Sequence, residues 1–173
     1  AKYRDSYFDV LKTIQKQKVV YENTNINQDI ISLSSDDYIG GISLLQIRNG
    51  RLTNKKDFEI SKNDYDSEEE IISYFIKEYY QMISNEDLPA EIIFSSKINK
   101  EDKEMFERWL SSKKGSKVTI NPGRTKKNDD ILELAAKNSN YHLQEMKVKS
   151  LQEIQNNYNE TGSYIKEKLG LNK

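Results

Sequence analysis

Asn49-Gly50 constrains this chain more than any other dipeptide in it. Both residues tolerate the left-handed backbone of a two-residue hairpin, and both flanks read as strand: "YIGGISLLQIR" before and "RLTNKKDFEI" after. A third strand segment, "DIISLSS", lies just upstream and is closed by a turn at Asp36-Asp37. Three consecutive strands with tight connections make an antiparallel meander. Gly40-Gly41 inside the second strand reads as a β-bulge.

The apolar period then changes from two to about 3.6. "DSEEEIISYFIKEYYQMI" carries acids in its first turn and Ile71, Ile72, Phe75, Ile76 and Tyr79 at helical spacing, with Asp66 or Ser67 as its cap. Tyr74, Tyr79 and Tyr80 are expected to pack on the sheet. "AEIIFSS" reads as a short buried strand. "KEDKEMFERWLSSKKG" reads as a helix with Met105, Phe106, Trp109 and Leu110 inward and Gly115 ending it. "SKVTIN" is a fifth strand, and "DDILELAAKNSNYHLQEM" a helix capped by Asn128 or Asp129. The polar tail from Ser150 is helical, with a break expected near Thr161-Gly162.

Ahead of the meander, Tyr3, Tyr7, Val10 and Ile14 recur at four, three and four residues, the seam of a short coiled coil or helical hairpin. This helix runs to about Lys18, and "YENTNINQ" follows as a polar linker. The expected order is therefore a helix, then β-β-β-α-β-α-β-α, then a helical tail. That is the order of an α/β, ribonuclease H-like fold: a mixed five-stranded sheet with helices on both faces. Strands are expected near 29–35, 38–48, 51–60, 91–95 and 117–121, and helices near 67–83, 101–112 and 129–146.

Composition narrows the function. A formal charge of −1 gives no global basic field, so any nucleic-acid contact must be a local patch. The absence of cysteine excludes disulfides and thiolate metal sites. No apolar run approaches a membrane span, and no signal peptide is visible. The chain opens inside a helical pattern without an initiator Met, and reads as a piece of a longer protein.

Nucleases of this fold hold two divalent metals with carboxylates converging on one spot. Here the first strand has Asp29 at its edge and no central acid, and the fourth ends in Ser95-Ser96. Glu68, Glu69 and Glu70, like Asp129 and Asp130, read as helix-start acids complementing the dipole. His142, the single histidine, has no cysteine or second histidine to work with and reads as a surface or groove-facing helix residue. Trp109 reads as core. In "INPGRTKKNDD" one glycine stands where a phosphate-binding P-loop needs two, and no Ser/Thr follows the lysines. What remains there is Arg124, Lys126 and Lys127 beside a helix N-terminus, where anions are favoured.

Several strings resemble the UvrC family of excinuclease incision proteins. "AKYRD" with Tyr7 and Val10 is similar to the second half of a UVR motif. "GGISLLQIRNGRLTNKKDFEI", "SYFIKEYY", "LPAEIIFS" and "WLSSKKGSKVTINPGRTKKNDDILELAAKNS" resemble successive segments of its middle region, in the right order over nearly the whole chain. One departure is that the family's P-x-R-G-x-K reads Pro122-Gly123-Arg124-Thr125-Lys126-Lys127, with glycine before arginine.

The resemblance implies a UVR-type end at 1–20, a linker at 21–28, a ribonuclease H-like domain without catalytic carboxylates at 29–148, and a helical tail at 149–173. It implies a non-cutting module between two nuclease domains in bacterial-type nucleotide excision repair, needing no cofactor of its own. The setting it implies is the cytoplasm and the DNA-damage (SOS) response. Its partners would be damaged DNA, the other domains of the same chain, and UvrB. Arg124, Lys126 and Lys127, joined by Arg48, Arg51, Lys113 and Lys114, would meet phosphates. Tyr3, Arg4, Tyr7 and Val10 would meet UvrB. Two readings compete with this one: a residual metal-dependent nuclease using Asp29, Asp36, Asp37 and Glu91, and a protein-interaction scaffold that never touches DNA.

Overall fold

The computed structural model describes residues 25–62, 67–123, 125–126 and 128–168. The elements are β1 (Gln28–Ser35), β2 (Ile39–Arg48), β3 (Arg51–Ser61), α1 (Glu68–Met82), β4 (Glu91–Phe94), α2 (Lys100–Lys114), β5 (Thr119–Pro122) and α3 (Asp129–Lys168). The N-terminal helix expected over 1–20, its seam residues and the first half of the linker, 21–24, lie outside the described residues.

The five strands form one sheet in the order β3-β2-β1-β4-β5. β1–β2 and β2–β3 are antiparallel, whereas β1–β4 and β4–β5 are parallel. The sheet is therefore mixed, and the α/β architecture is the one expected from the element order. Asn49 (φ 51°) and Gly50 (φ 72°) both occupy the left-handed region, closing the β2–β3 hairpin with Arg48 opposite Arg51. The hairpin is docked as well as turned: Gly50 N donates to Ile26 O at 2.9 Å, and Asn49 N to Asn27 Oδ1 at 2.9 Å.

β1 is the central strand, and burial on both faces explains its unbroken Ile30-Ile31 run. Ile31 and Leu33 point to one face, where α1 and α2 contribute Ile71, Ile72, Phe75, Ile76, Tyr80, Phe106 and Leu110. Ile30 points to the other, joined by Leu45, Ile47 and Ile93 against Ile131, Leu132, Leu134 and Ala135 of α3. Each such apolar side chain contributes about 1.5–3 kcal/mol when fully buried. β3, at the sheet edge, alternates instead. Phe58 and Ile60 face the α1 side, while Lys55 pairs with Asp57 at 3.0 Å. Charged lysines on an exposed edge discourage pairing with other chains.

The caps follow from sequence. Ser67 receives the Glu70 N–H, and Asn99 the Asp102 N–H. Gly115 (φ 74°) ends α2 by donating to Ser111 O. Asn128 lies directly before α3 and turns its side chain back into the preceding loop, accepting from Thr125 N at 2.6 Å.

Four sequence expectations are corrected. The irregularity in β2–β3 pairing falls between Gln46 and Ile47, not at Gly40-Gly41. Met105 is 46% exposed and Tyr74 is 44% exposed, because both lie off the buried stripes that Phe106 and Leu110, and Ile71, Ile72, Phe75, Ile76 and Tyr80, form on their helices. α3 runs unbroken through Thr161-Gly162 to Lys168. One glycine costs a helix only about 1 kcal/mol relative to alanine, too little to interrupt 40 residues by itself. α3 stops covering the sheet near Lys147, whose Nζ pairs with Asp36 Oδ2 at 2.9 Å. Beyond it Val148, Leu151, Ile154 and Tyr158 are exposed.

Candidate nucleic-acid interface

The cationic loop begins where β5 ends. Gly123 adopts φ 92°, a conformation that only glycine takes without strain, and its N–H is anchored on Phe94 O at 2.8 Å. The glycine that precedes arginine here thus gives the loop its own backbone path. Asn128 N returns to Thr125 O at 3.0 Å, closing a tight turn ahead of α3. Lys126 is exposed on it. Arg124 and Lys127 lie outside the described residues.

Between this loop and the α3-side face of β4 and β5 lies a cleft of about 280 Å³. It is lined by Gln28, Glu91, Ile93, Asn121, Pro122, Gly123, Thr125 and Asn128. The Glu91 carboxylate accepts from both neighbouring strands, Oε2 from Gln28 Nε2 and Oε1 from Asn121 Nδ2. Alternation along β4 puts Glu91 and Ile93 on one face, a signal legible in the sequence. The amides beside them come from register alone, which sets Gln28 opposite Glu91 and Asn121 opposite Ile93.

Four other candidate cations gather at the end of the sheet where β1 begins. Arg48 faces Arg51 across the hairpin, and Arg51 is exposed. Arg48 is engaged by internal acceptors: Asp29 Oδ1 (2.7 Å), Gln28 O (3.1 Å), Ile47 O (2.9 Å) and, through Nη2, Asp87 O (2.9 Å). Lys113 Nζ donates to Tyr80 O (2.7 Å) and Gln81 O (2.9 Å), satisfying carbonyls at the C-terminus of α1. Lys114 is half-buried, and burial followed by the nearby Arg48 charge lowers its pKa.

Asp29 lies at the centre of that end. It is fully buried, with Oδ2 accepting from Tyr80 Oη at 2.8 Å. Burial raises its pKa, outweighing the opposing pull of Arg48 and Tyr80. Tyr80 is raised in turn by its own burial and then by the Asp29 charge.

The carboxylates named for a metal site do not converge. Asp29 and Asp36 are seven residues apart at opposite ends of β1, roughly 23 Å at ~3.3 Å per residue. Asp36 is engaged by the backbone N–H groups of Ile39 and Tyr38 and by Lys147, with Ile39 the largest influence, and its pKa is held well below the ordinary range. Asp37 is exposed in the same turn. Glu91 faces the α3 side, whereas Asp29, in register with the core residue Ile92, faces α1. Among the described residues no group of three or more His, Cys, Asp or Glu side chains could hold a metal ion. His142 is half-buried on α3 beside Gly41, and its Nε2 meets no hydrogen-bond partner among the described residues.

Comparison with known proteins matches residues 27–146 to the UvrC Ribonuclease H-like domain. The chain belongs to this family. Relatives named UvrABC system protein C include that of Caldanaerobacter subterraneus subsp. tengcongensis, 33% identical over 139 residues covering 80% of this chain. That of Clostridium acetobutylicum is 32% identical over 159 residues, 92% of the chain. The Synechocystis protein is 28% identical over 152 residues, 87% of the chain. The aligned part is 22–25% of each of these relatives. Among the described residues no helix is long and apolar enough to cross a membrane.

Proposed function

We propose that this chain is a non-cutting module of an excision-repair incision protein. In this reading it acts in the cytoplasm, holds flanking nuclease domains in position, and adds contacts to the backbone of damaged DNA. The observation that carries it is the dispersal of the carboxylates. Asp29 is locked to Arg48 and Tyr80, Asp36 to Lys147 at the other end of β1, and Glu91 to two amides on the opposite face. A two-metal site needs ions about 3.5–4 Å apart held by shared oxygens. Incubating the purified chain with lesion-bearing duplex and Mg²⁺ or Mn²⁺ is expected to leave the DNA intact. Incision abolished by Asp29→Ala would return the nuclease reading.

Arg124, Lys126 and Lys127 supply the DNA contact, with Arg51 and Lys114 at the hairpin end. Arg48 and Lys113 hold the basic surface together through their internal bonds. The N-terminal segment, through Tyr3, Arg4, Tyr7 and Val10, meets UvrB, and residues 149–173 lead toward a following domain. Replacing Arg124, Lys126 and Lys127 together by alanine should weaken DNA binding about equally for all sequences. It should also flatten the slope of log K against log[salt] by roughly 0.9 for each phosphate no longer neutralised. Unchanged affinity and slope in the triple variant would remove the loop from the contact, and a parent chain without salt-dependent DNA binding would favour the pure protein-interaction scaffold.

A further inference from the structure

We propose that the cleft between the 122–128 loop and the β4–β5 face takes a single unpaired guanine base. This rests on the DNA-contacting reading above and names what that contact reads. The cleft, about 280 Å³, lies at the small end of ligand sites and suits one planar ring system. The exposed Pro122 offers apolar surface to a ring face, while Glu91, Gln28 and Asn121 line the same space and Ile93 closes its floor.

The polar group is rich in acceptors. A carboxylate has about four acceptor positions, and among the described residues Glu91 uses one on each oxygen for its amide neighbours. The remaining positions look for N–H donors. Guanine presents two adjacent donors, N1–H and the N2 amino group, which match the two oxygens of one carboxylate. Cytosine and adenine present one amino group beside a ring acceptor. Thymine presents a single N3–H flanked by carbonyls, which a carboxylate repels. In paired DNA the N1–H of guanine is engaged, so the cleft selects an unpaired base.

Charge separates a nucleotide from the other donor-rich ligand, an arginine side chain. Lys126 stands exposed in the turn whose Thr125 lines the cleft. In sequence Arg124 and Lys127 border the same turn. The Lys126 charge repels a guanidinium but complements the phosphate that accompanies a base.

The test is fluorescence anisotropy of the 173-residue chain with labelled oligothymidylate, with and without one central guanine. Wild type should bind the guanine strand about tenfold more tightly, within the range of a good bidentate base contact. Replacing that guanine by hypoxanthine, which lacks the N2 amino group, should remove most of the preference without touching the protein. Glu91→Gln, checked by thermal melting, should erase the preference and keep the salt slope. Lys126→Ala should weaken both strands equally and keep the preference. Salt-dependent binding that is equal for both strands overturns the guanine site and leaves the DNA reading standing. No binding to either strand removes both. A preference surviving the hypoxanthine exchange or Glu91→Gln also overturns the site.

Discussion

Arg48→Met should destabilise the chain by about 3–5 kcal/mol near neutral pH, the usual cost of breaking a buried ion pair on one side. The variant leaves the Asp29 carboxylate fully buried with the Tyr80 hydroxyl and the Gln46 side chain as its polar partners among the described residues. It also frees the carbonyls of Gln28, Ile47 and Asp87 from a shared donor. The pH dependence gives the effect its signature. The folded pKa of Asp29 already lies above the unfolded value of 3.8, because burial outweighs Arg48. The folded state therefore binds the extra proton, and the Asp29 contribution to stability falls as pH rises from 3.8 through the folded pKa. Without Arg48 the folded pKa climbs further and the window widens upward. The deficit of Arg48→Met relative to wild type should accordingly shrink as the pH is lowered, since a protonated Asp29 needs no counter-charge. Urea unfolding across a pH series reads this directly. A deficit independent of pH would mean that Arg48 acts through its carbonyl contacts alone. Asp29→Asn combined with Arg48→Met should recover part of the loss at neutral pH.

Gly41→Val should cost about 1–3 kcal/mol or more, the range for overpacking a close contact. A Cβ on Gly41 would stand 3.1 Å from Ser139 O, 3.1 Å from Leu143 N and 3.2 Å from His142 Cδ2. Two of these are backbone atoms of α3, so the helix itself must move off the sheet. That movement would strain the hydroxyl cluster in which Ser139 Oγ meets Ser32 Oγ at 3.2 Å and Ser34 Oγ at 2.8 Å. The neighbouring Gly40 is the internal control. Its Cβ would meet Leu33 Cδ1 at 3.1 Å and Ile60 Cγ2 at 3.2 Å, side-chain methyls rather than helix backbone, of which the Leu33 tip turns aside more easily than the β-branched Ile60. Gly40→Ala should therefore be tolerated much better than Gly41→Ala in thermal unfolding. Equal costs at the two positions would show that close helix approach is not what Gly41 serves.

Local chemistry alone determined much of this protein. Asn49-Gly50 specified a hairpin because both residues accept positive φ, and the shift from period two to 3.6 after Ser61 separated meander from helix. Ser67 and Gly115 marked helix ends because capping uses atoms within four residues. The scarcity of acids along β1 and at the end of β4 was equally visible, since it concerns residue types at strand positions.

Tertiary pairing decided the rest. Gly40-Gly41 looks like a bulge in one dimension, and only the packing of α3 against β2 shows a close-approach site at Gly41. Arg48 reads as a surface cation beside a turn, yet a carboxylate 19 residues earlier and a carbonyl 39 residues later engage it. Gln28, Glu91 and Asn121 are separated by 63 and 30 residues, and they meet because two parallel ladders set β1, β4 and β5 side by side. Spacing along a chain carries information about the next turn of helix or the next strand residue. It carries none about which strand lies alongside, because that choice is made by burying both faces of the whole sheet at once.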